Sequence, residues 1–317
     1  MQTLIFLIIM VSMMAQAVAA EEQEDILRAY GSEEMVSLAT GYIQPLSDAP
    51  AVINVITSRE IERLGALTVA QVLETVPGLH VSTARGFSDV FIIRGLFREF
   101  NSQVLLLING IPVNDVVNGG RPQTWSMPVH DIARIEIIRG PVSALYGADA
   151  MAGVINIITK TSRDIKDTEV GTYAGSFQTY GGWLLSSGHW GDIDTALYFE
   201  GSTTNGYKRT IKADNQTSID TLLGTDASLA PGHINTDRDD INARLDIKGQ
   251  HWLFRMGYQG FLNVGTGAGS TLALDPHGDF NVNLTSADFT YNLFNLTVRH
   301  GLSMHSSAIW DRLCMPT

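Results

Sequence analysis

The sequence predicts two parts of different fold class: an α+β domain with a small mixed sheet and short helices, then a series of long antiparallel strands. Residues 131–160 indicate the first part, because two strand-like runs flank a Gly-rich hinge that starts at Gly140-Pro141. The second part is indicated from Glu169 onward, where apolar and polar residues alternate between turns. This alternation by itself fits either a soluble sandwich or a membrane barrel.

The N-terminal residues predict export. Residues 4–14 are apolar, which is too short for a membrane helix of about 20 residues, and small residues follow. The pattern is typical of a signal peptide over residues 1–20, cut after Ala19 or Ala20, although no Lys or Arg precedes the apolar core. A buried N-terminal helix is the alternative. Residues 21–48 are an acidic segment that is expected to be mobile.

Residues 49–166 are predicted to form the α+β domain. A strand over 51–56 leads into a helix over 59–64, which Thr57 or Ser58 caps and Gly65 ends. A second helix is expected over 68–75 and a single helical turn over 143–146. Further strands are expected at 80–82, 90–94, 104–108, 132–138 and 154–158.

Four segments of this domain resemble, in the same order, the motifs of the plug domain of TonB-dependent outer-membrane receptors. They are VLETVPGLHVS at 72–82, FIIRGLF at 91–97, LLLINGIPVND at 105–115 and RIEIIRGPVSALYGADAMAGVINIITK at 134–160. The resemblance implies a receptor in the bacterial outer membrane that takes up a scarce ligand with energy from TonB and its inner-membrane complex. In this family the ligand is most often a ferric siderophore, with cobalamin, haem and oligosaccharides as others.

The resemblance also implies a TonB box within the acidic segment. Its residues are Glu34, Met35, Val36, Ser37, Leu38 and Ala39. Such a segment can add as an extra strand to the edge of a partner's sheet, where main-chain hydrogen bonds supply the affinity. An ordinary extended linker is the alternative.

Two polar and aromatic connectors of the domain match in position the plug loops that contact ligand in the resembled family. The candidate ligand-binding residues are Phe97, Arg98, Glu99, Phe100, Asn101, Arg121 and Trp125. Arg121 and Trp125 would suit an anionic or aromatic ligand, through charge pairing and stacking. Ordinary surface loops are the alternative for any single residue.

Two further arginines, Arg94 and Arg139, are expected to form a latch between plug and barrel. In the resembled family, arginines at such positions pair with acidic residues inside the barrel wall, and buried charges are costly unless they are paired. Two solvent-facing arginines beside turns are the alternative.

The resemblance assigns residues 167–317 to a transmembrane β-barrel in contact with outer-membrane lipid, and not to a sandwich. Between residues 240 and 248, Ile241 and Leu245 lie on an apolar face, whereas Asn242 and Arg244 lie on a polar face that would line the lumen. Strands are expected at 168–177, 180–190, 193–204, 238–249, 251–263, 281–293 and 295–309, with long loops at 205–237 and 264–280.

Barrels of this plugged type have about 22 strands, so the sequence predicts an incomplete barrel. The expected origins are a fragment, a frameshifted product or a truncated gene. The rival to a transport function is therefore a non-transporting remnant, which would act at most as a periplasmic plug or binding module.

Composition and motifs argue against other functional classes. The net charge of −12 disfavours a nucleic-acid partner. The sequence contains no P-loop, GxSxG, HExxH or CxxC motif, and its eight histidines lack metal-ligand spacing. We therefore expect neither an enzyme, nor a cofactor, nor a metal site. The single cysteine, Cys314, cannot form an intramolecular disulfide.

Overall fold

The computed structural model describes residues 53–83, 89–98, 100–114, 120–122, 125–267, 269, 272–293 and 296–309, together with two short strands near the N terminus. Those strands, β1 (Met35–Val36) and β2 (Gln44–Pro45), pair antiparallel. The described chain then contains an α+β domain and a long antiparallel sheet, as the sequence predicts.

The α+β domain is built on a five-stranded mixed sheet and a separate hairpin. Its strands are β3 (Ile53–Thr57), β4 (Leu79–Thr83), β5 (Asp89–Ile93), β6 (Val104–Ile108), β7 (Ile111–Pro112), β8 (Ile132–Arg139) and β9 (Gly153–Thr159). The sheet order is β3-β8-β9-β6-β7, with β6 and β9 parallel and the other pairs antiparallel. Strands β4 and β5 form the hairpin.

The core of this domain follows from the apolar runs in the two central strands. Ile137 lies opposite Ile155, and Ile135 lies opposite Ile157, and all four side chains are fully buried. Gly153 is required at the start of β9, because a Cβ atom there would lie 2.3 Å from the carbonyl oxygen of Ile138.

Two short helices cover the sheet near its first strand. Helix α1 (Ser58–Leu64) begins at Thr57, which forms a capping box with Glu60, and ends at Gly65 in the left-handed conformation. Helix α2 (Val69–Leu73) is shorter than predicted and buries three apolar side chains. The predicted single turn is present as α3 (Ser143–Tyr146).

The long sheet contains seven antiparallel strands in the order β10-β11-β12-β15-β16-β17-β18. Their bounds are close to those predicted. They are β10 (Glu169–Gly175), β11 (Thr179–Trp190), β12 (Ile193–Thr204), β15 (Arg238–Lys248), β16 (Trp252–Gly265), β17 (Asp279–Leu293) and β18 (Leu296–Ile309).

The predicted loop over 205–237 contains regular structure that the sequence analysis did not predict. A small hairpin of β13 (Thr210–Ile211) and β14 (Gly232–His233) flanks helix α4 (Asn215–Leu223). Asp214 caps this helix through a capping box with Thr217. The same carboxylate accepts a hydrogen bond of 2.7 Å from the amide of Leu274, so the two long loops are joined.

In the long sheet the polar face is buried and the apolar face is exposed, which is the reverse of the usual arrangement in a soluble protein. On β15 the polar residues Asn242, Arg244 and Asp246 are buried, while the apolar residues between them are partly exposed. On β12 the outward-facing Leu197 and Phe199 are more than 40% exposed. An apolar outer face and a buried polar inner face are typical of a strand between lipid and a barrel lumen.

None of the helices in the described part of the chain is long and apolar enough to cross a bilayer.

Candidate functional site

The polar face of the long sheet carries parallel rows of side chains that meet the α+β domain. Neighbouring strands place Glu200, Asn242 and Gln259 at one level, because these residues are register partners across β12, β15 and β16. The next level holds Tyr198 and Arg244, and the level after it holds Ala196, Asp246, Arg255 and Asp288. Since alternate residues of a strand share a face, all three levels point to the same side.

One segment of the α+β domain lies against this face, and we call residues 125–131 the wall-facing segment. At its first residue, Trp125 donates a hydrogen bond of 3.1 Å from Nε1 to Oε1 of Gln259. Gln259 in turn donates to Asn242 over 3.2 Å. Trp125 is buried and Gln259 is partly buried, and the bond links the domain to the sheet.

A second contact joins His130 to the buried carboxylate of Glu200. The distance from His130 Nδ1 to Glu200 Oε2 is 2.7 Å, and the same oxygen accepts a hydrogen bond of 2.5 Å from the Tyr198 hydroxyl. The imidazole ring also stacks on Trp183, with ring centroids 3.8 Å apart and an angle of 12° between planes. Stacking and hydrogen bonding together fix the ring orientation.

A third contact is an ion cluster around Arg244 of β15. Its Nε donates to Asp131 over 3.0 Å, and its Nη1 donates to Asp246 on the same strand. Its Nη2 donates over 2.8 Å to the carbonyl oxygen of Lys160. Burial raises the pKa of Asp131, and the adjacent guanidinium opposes that rise. Arg244 is therefore held at the same time by the sheet and by two points of the α+β domain.

These contacts differ from the predicted latch. Arg139 donates to the carbonyl oxygen of Pro77 within its own domain, and the guanidinium of Arg94 lies beside Gly140. In the ion pair that the structure describes between domain and sheet, the arginine belongs to the sheet and the acid to the domain. A pairing of Arg94 or Arg139 with a barrel carboxylate stays a prediction.

The six described candidate ligand-binding residues fall into two groups by exposure. Phe97, Arg98 and Phe100 are exposed. Asn101 is buried and forms two hydrogen bonds with the backbone of Phe91, so it braces the connector. Glu99 lies outside the described residues.

Arg121 and Trp125, which the sequence predicts to meet the ligand, are both buried. The Arg121 guanidinium lies over the rings of Phe91 and Trp125, at 4.7 and 5.4 Å from their centroids. Burial lowers the pKa of Arg121 to about 10, and the nearby Asp89 carboxylate opposes this shift. The Nε atom of Arg121 has no hydrogen-bond partner among the described residues. Arg121 also donates a hydrogen bond of 2.9 Å to the carbonyl oxygen of Trp125, so these two residues of the second connector hold each other in place.

The TonB box prediction falls mostly outside the described residues. Met35 and Val36 form strand β1, whereas Glu34, Ser37, Leu38 and Ala39 are not described. Among the residues that the structure describes, no group of three or more His, Cys, Asp or Glu side chains is arranged to hold a metal ion.

The residues that join domain to sheet were not predicted from the sequence as site residues. They are His130, Asp131, Glu200, Arg244 and Gln259. The alternation in β15 did identify the polar face on which Arg244 lies. Nothing in the sequence indicates that Asp131 is its partner, because that residue precedes it by 113 positions.

In this structure a mixed-sheet domain is bridged by polar contacts to the buried polar face of an antiparallel sheet. Residues 45–154 match the family model described as the TonB-dependent receptor plug domain. This part of the chain is therefore a plug domain of the kind found in TonB-dependent receptors, and a sheet of seven antiparallel strands follows it.

Curated relatives match part of the chain. The chain is 41% identical over 148 residues to the vitamin B12 transporter BtuB of Vibrio vulnificus, covering 46% of this chain and 23% of that protein. It is 40% identical over 136 residues to the iron-regulated outer membrane virulence protein of Vibrio cholerae, covering 40% of this chain and 20% of that protein. These relatives confirm the predicted location in the bacterial outer membrane, and their names are not those of enzymes.

Solved structures share the fold of both parts. The ferric yersiniabactin uptake receptor FyuA of Yersinia pestis aligns with a TM-score of 0.56 at 16% identity, over 83% of this chain and 41% of that chain. The ferripyoverdine receptor of Pseudomonas aeruginosa aligns with a TM-score of 0.58 at 15% identity, over 89% of this chain and 38% of that chain. The chain thus spans less than half the length of these receptors.

Proposed function

We propose that this protein takes part in the energy-coupled uptake of a scarce ligand across the outer membrane, with TonB as its partner. The observation that carries the proposal is the plug domain held by buried polar contacts against the inner face of a barrel sheet. Such a plug closes the lumen, so passage of a ligand requires those contacts to be loosened. The energy for this step would come from TonB, which engages the box at residues 34–39.

The first candidate ligand is a ferric siderophore, and the second is cobalamin. The 40% identical relative is named as iron-regulated, whereas the 41% identical relative is named as a vitamin B12 transporter. The exposed Phe97, Arg98 and Phe100 offer two aromatic rings and a cation to an anionic or aromatic ligand. Arg121 and Trp125 would act on the ligand indirectly, by fixing the connectors above them.

The TonB contact would form by strand addition. Met35–Val36 already adopts a strand and pairs with Gln44–Pro45, so this backbone is able to form ladder hydrogen bonds. Replacing Val36 with proline removes an N–H donor and restricts the preceding residue, which disfavours strand addition. Val36→Ala keeps the backbone donor and is the matched control.

The test measures uptake of iron-loaded siderophores and of cobalamin by cells that express the protein, with and without TonB. We expect uptake of one ligand that is lost without TonB and lost in Val36→Pro, but retained in Val36→Ala. Outer-membrane fractions must contain equal amounts of each variant. Protein found only in the soluble periplasm would contradict the proposal and favour the alternative, a periplasmic plug module.

A further inference from the structure

Aromatic side chains lie at the external end of the first strands of the long sheet. On β11, Trp183 stacks on His130 of the plug and Leu185 is fully buried, so the odd-numbered side chains of this strand face inward. Since alternate residues of a strand lie on opposite faces, Tyr180 lies on the outer face. Its register partner is Thr203 near the end of β12, from which the first long loop leaves. Longer loops are external in outer-membrane barrels, so Tyr180 lies at the external rim of the lipid-facing surface.

Two further aromatic rings lie at the same end of these strands. Phe177 is in the turn between β10 and β11, and Tyr207 follows the end of β12. Their rings meet edge to face, with centroids 5.6 Å apart and an angle of 73° between planes. Phe177, Tyr180 and Tyr207 are each more than half exposed. Exposed aromatic residues at this level are typical of the girdle at the boundary between lipid and water.

Exposed cations follow Tyr207 directly in the chain. Lys208, Arg209 and Lys212 all have exposed side chains. Lys208 forms an ion pair with Asp237, in which the nitrogen and oxygen atoms are 3.2 Å apart. Within the part of the chain that the structure describes, neither Arg209 nor Lys212 forms an ion pair with a carboxylate. Two positive charges beside the aromatic girdle are therefore available to an anionic group.

The backbone that carries these side chains is held in place by the second half of the same loop. The amide of Ile234 donates a hydrogen bond of 3.0 Å to the carbonyl oxygen of Arg209. The hydroxyl of Thr236 donates over 3.2 Å to the carbonyl oxygen of Tyr207. A surface whose backbone is already ordered loses little conformational freedom when it binds a partner.

We propose that these residues form a rim patch that binds the phosphate groups of lipid A, the glycolipid of the outer leaflet. The rim patch consists of Phe177, Tyr180, Tyr207, Arg209 and Lys212. Two observations favour a lipid as the occupant. The patch is continuous with the lipid-facing surface, because Tyr180 shares the outer face of the wall, and its unpaired charges are positive and so complement phosphate. The inference goes beyond uptake, since it concerns how the receptor contacts the bilayer.

The rings and the cations of the rim patch have different roles in the contact. Aromatic rings at the interface place their apolar body against acyl chains and their polar end among the headgroups. The Arg209 guanidinium can form two parallel hydrogen bonds with phosphate oxygens, whereas Lys212 adds a point charge. Since one basic residue near an anionic lipid surface strengthens binding about fivefold, the two cations together correspond to about 30-fold.

The rim patch is tested by native mass spectrometry of the whole chain in a non-ionic detergent, with diphosphoryl lipid A as the probe. Arg209→Gln/Lys212→Gln removes both charges and keeps long polar side chains. Arg163→Gln/Lys166→Gln is the matched control, because these two exposed cations precede β10, at the end of that strand opposite the rim patch. We expect the first variant to bind the probe about 30-fold more weakly than wild type, and the control to bind it as wild type does.

Dephosphorylated lipid A with the same acyl chains separates the charge contact from the apolar contact. It should bind weakly, and equally to wild type and to Arg209→Gln/Lys212→Gln. Tyr180→Ala leaves the long loop intact and should weaken the binding of both lipids. Inorganic phosphate in large molar excess should not displace diphosphoryl lipid A.

Four results would overturn the lipid site. They are unchanged affinity in Arg209→Gln/Lys212→Gln, an equal loss in the control, equal affinity of wild type for both lipids, and displacement of the probe by inorganic phosphate, which would indicate a site for a free anion. Ligand uptake does not enter this test, so the lipid site and the proposed function can fail separately.

Discussion

Removal of the Asp131 carboxylate should loosen the plug from the barrel wall by a measurable amount. Asp131 is 2% exposed and Arg244 is 9% exposed, so their contact is a buried ion pair. Breaking such a pair costs about 3–5 kcal/mol, because the remaining charge is left in a poorly solvated site. Arg244 would keep Asp246 and the Lys160 carbonyl, so we place Asp131→Ala near the lower limit, at about 3 kcal/mol.

The assay is hydrogen exchange of the backbone amides in β8 and β9, read by mass spectrometry on the receptor in detergent. A loss of about 3 kcal/mol in local opening free energy corresponds to exchange that is about 100-fold faster. Glu62→Ala is the control, since Glu62 is an exposed plug carboxylate on α1 and its removal should change exchange little. Unchanged protection of β8 and β9 in Asp131→Ala would refute the reasoning.

A double variant of Asp131 and Arg244 measures how far the effect of each substitution depends on the other residue. Arg244→Met alone leaves Asp131 and Asp246 as two buried carboxylates without their shared cation, so it should cost more than Asp131→Ala. In Asp131→Ala/Arg244→Met the loss should be smaller than the sum of the single losses, by about 1–3 kcal/mol. Strictly additive losses would mean that the two residues do not act through each other.

Three further predictions concern the loop that contains α4, the plug core and the hydrogen bond between Trp125 and Gln259. Although burial alone would raise the pKa of Asp214, hydrogen bonds to its carboxylate lower that pKa to about 2. Because the folded-state pKa lies below the ordinary 3.8, this carboxylate stabilises the loop above pH 4 and progressively less between about pH 4 and 2. Faster exchange of the α4 amides at low pH should show this loss, and Asp214→Ala should abolish the pH dependence. Gly153→Val should lower the unfolding free energy of the plug by about 1–3 kcal/mol in a denaturant titration, because its Cβ would meet a carbonyl oxygen at 2.3 Å. Gly175→Val, whose Cβ would meet its nearest atom at 3.7 Å, should leave the same titration unchanged. Trp125→Phe should lose the hydrogen bond to Gln259 and cost about 1 kcal/mol in the same measurement, and a variant as stable as wild type would contradict the contact.

Local signals in the sequence were sufficient to predict most of the helices and strands. Thr57 and Gly65 mark the two ends of α1 because each satisfies backbone groups that the helix itself leaves open. The strand from Arg238 to Lys248 is within one residue of its predicted bounds, since the alternation stops where the turn begins. Helix α4 was missed, although Asp214 and Gly224 carry the N-cap and C-cap chemistry that could have located it.

Long-range contacts explain why the site was predicted less well. The sequence around Arg121 predicts a surface residue in a polar connector, yet Arg121 is buried, and Phe91 on β5 supplies a ring for its guanidinium. In the same way, alternation on β15 predicts the face of Arg244 but not which plug atom faces it. Sequence spacing reports local geometry, whereas these contacts depend on how the plug docks.

The direction of the buried ion pair also has a functional consequence. Two arrangements of such a pair carry the same charges. In one, an arginine of the plug pairs with a carboxylate of the wall, and in the other an arginine of the wall pairs with a carboxylate of the plug. They differ in which group stays on the wall if the plug moves. If the plug leaves the wall, it takes Asp131 with it, and Arg244 stays in the wall beside Asp246. Arg244 would then remain a cation paired with a carboxylate, and no unpaired buried carboxylate would be left in the wall. Return of the plug would bring Asp131 back to a guanidinium that Asp246 has kept in position, so the wall strand would be a fixed partner for a moving plug.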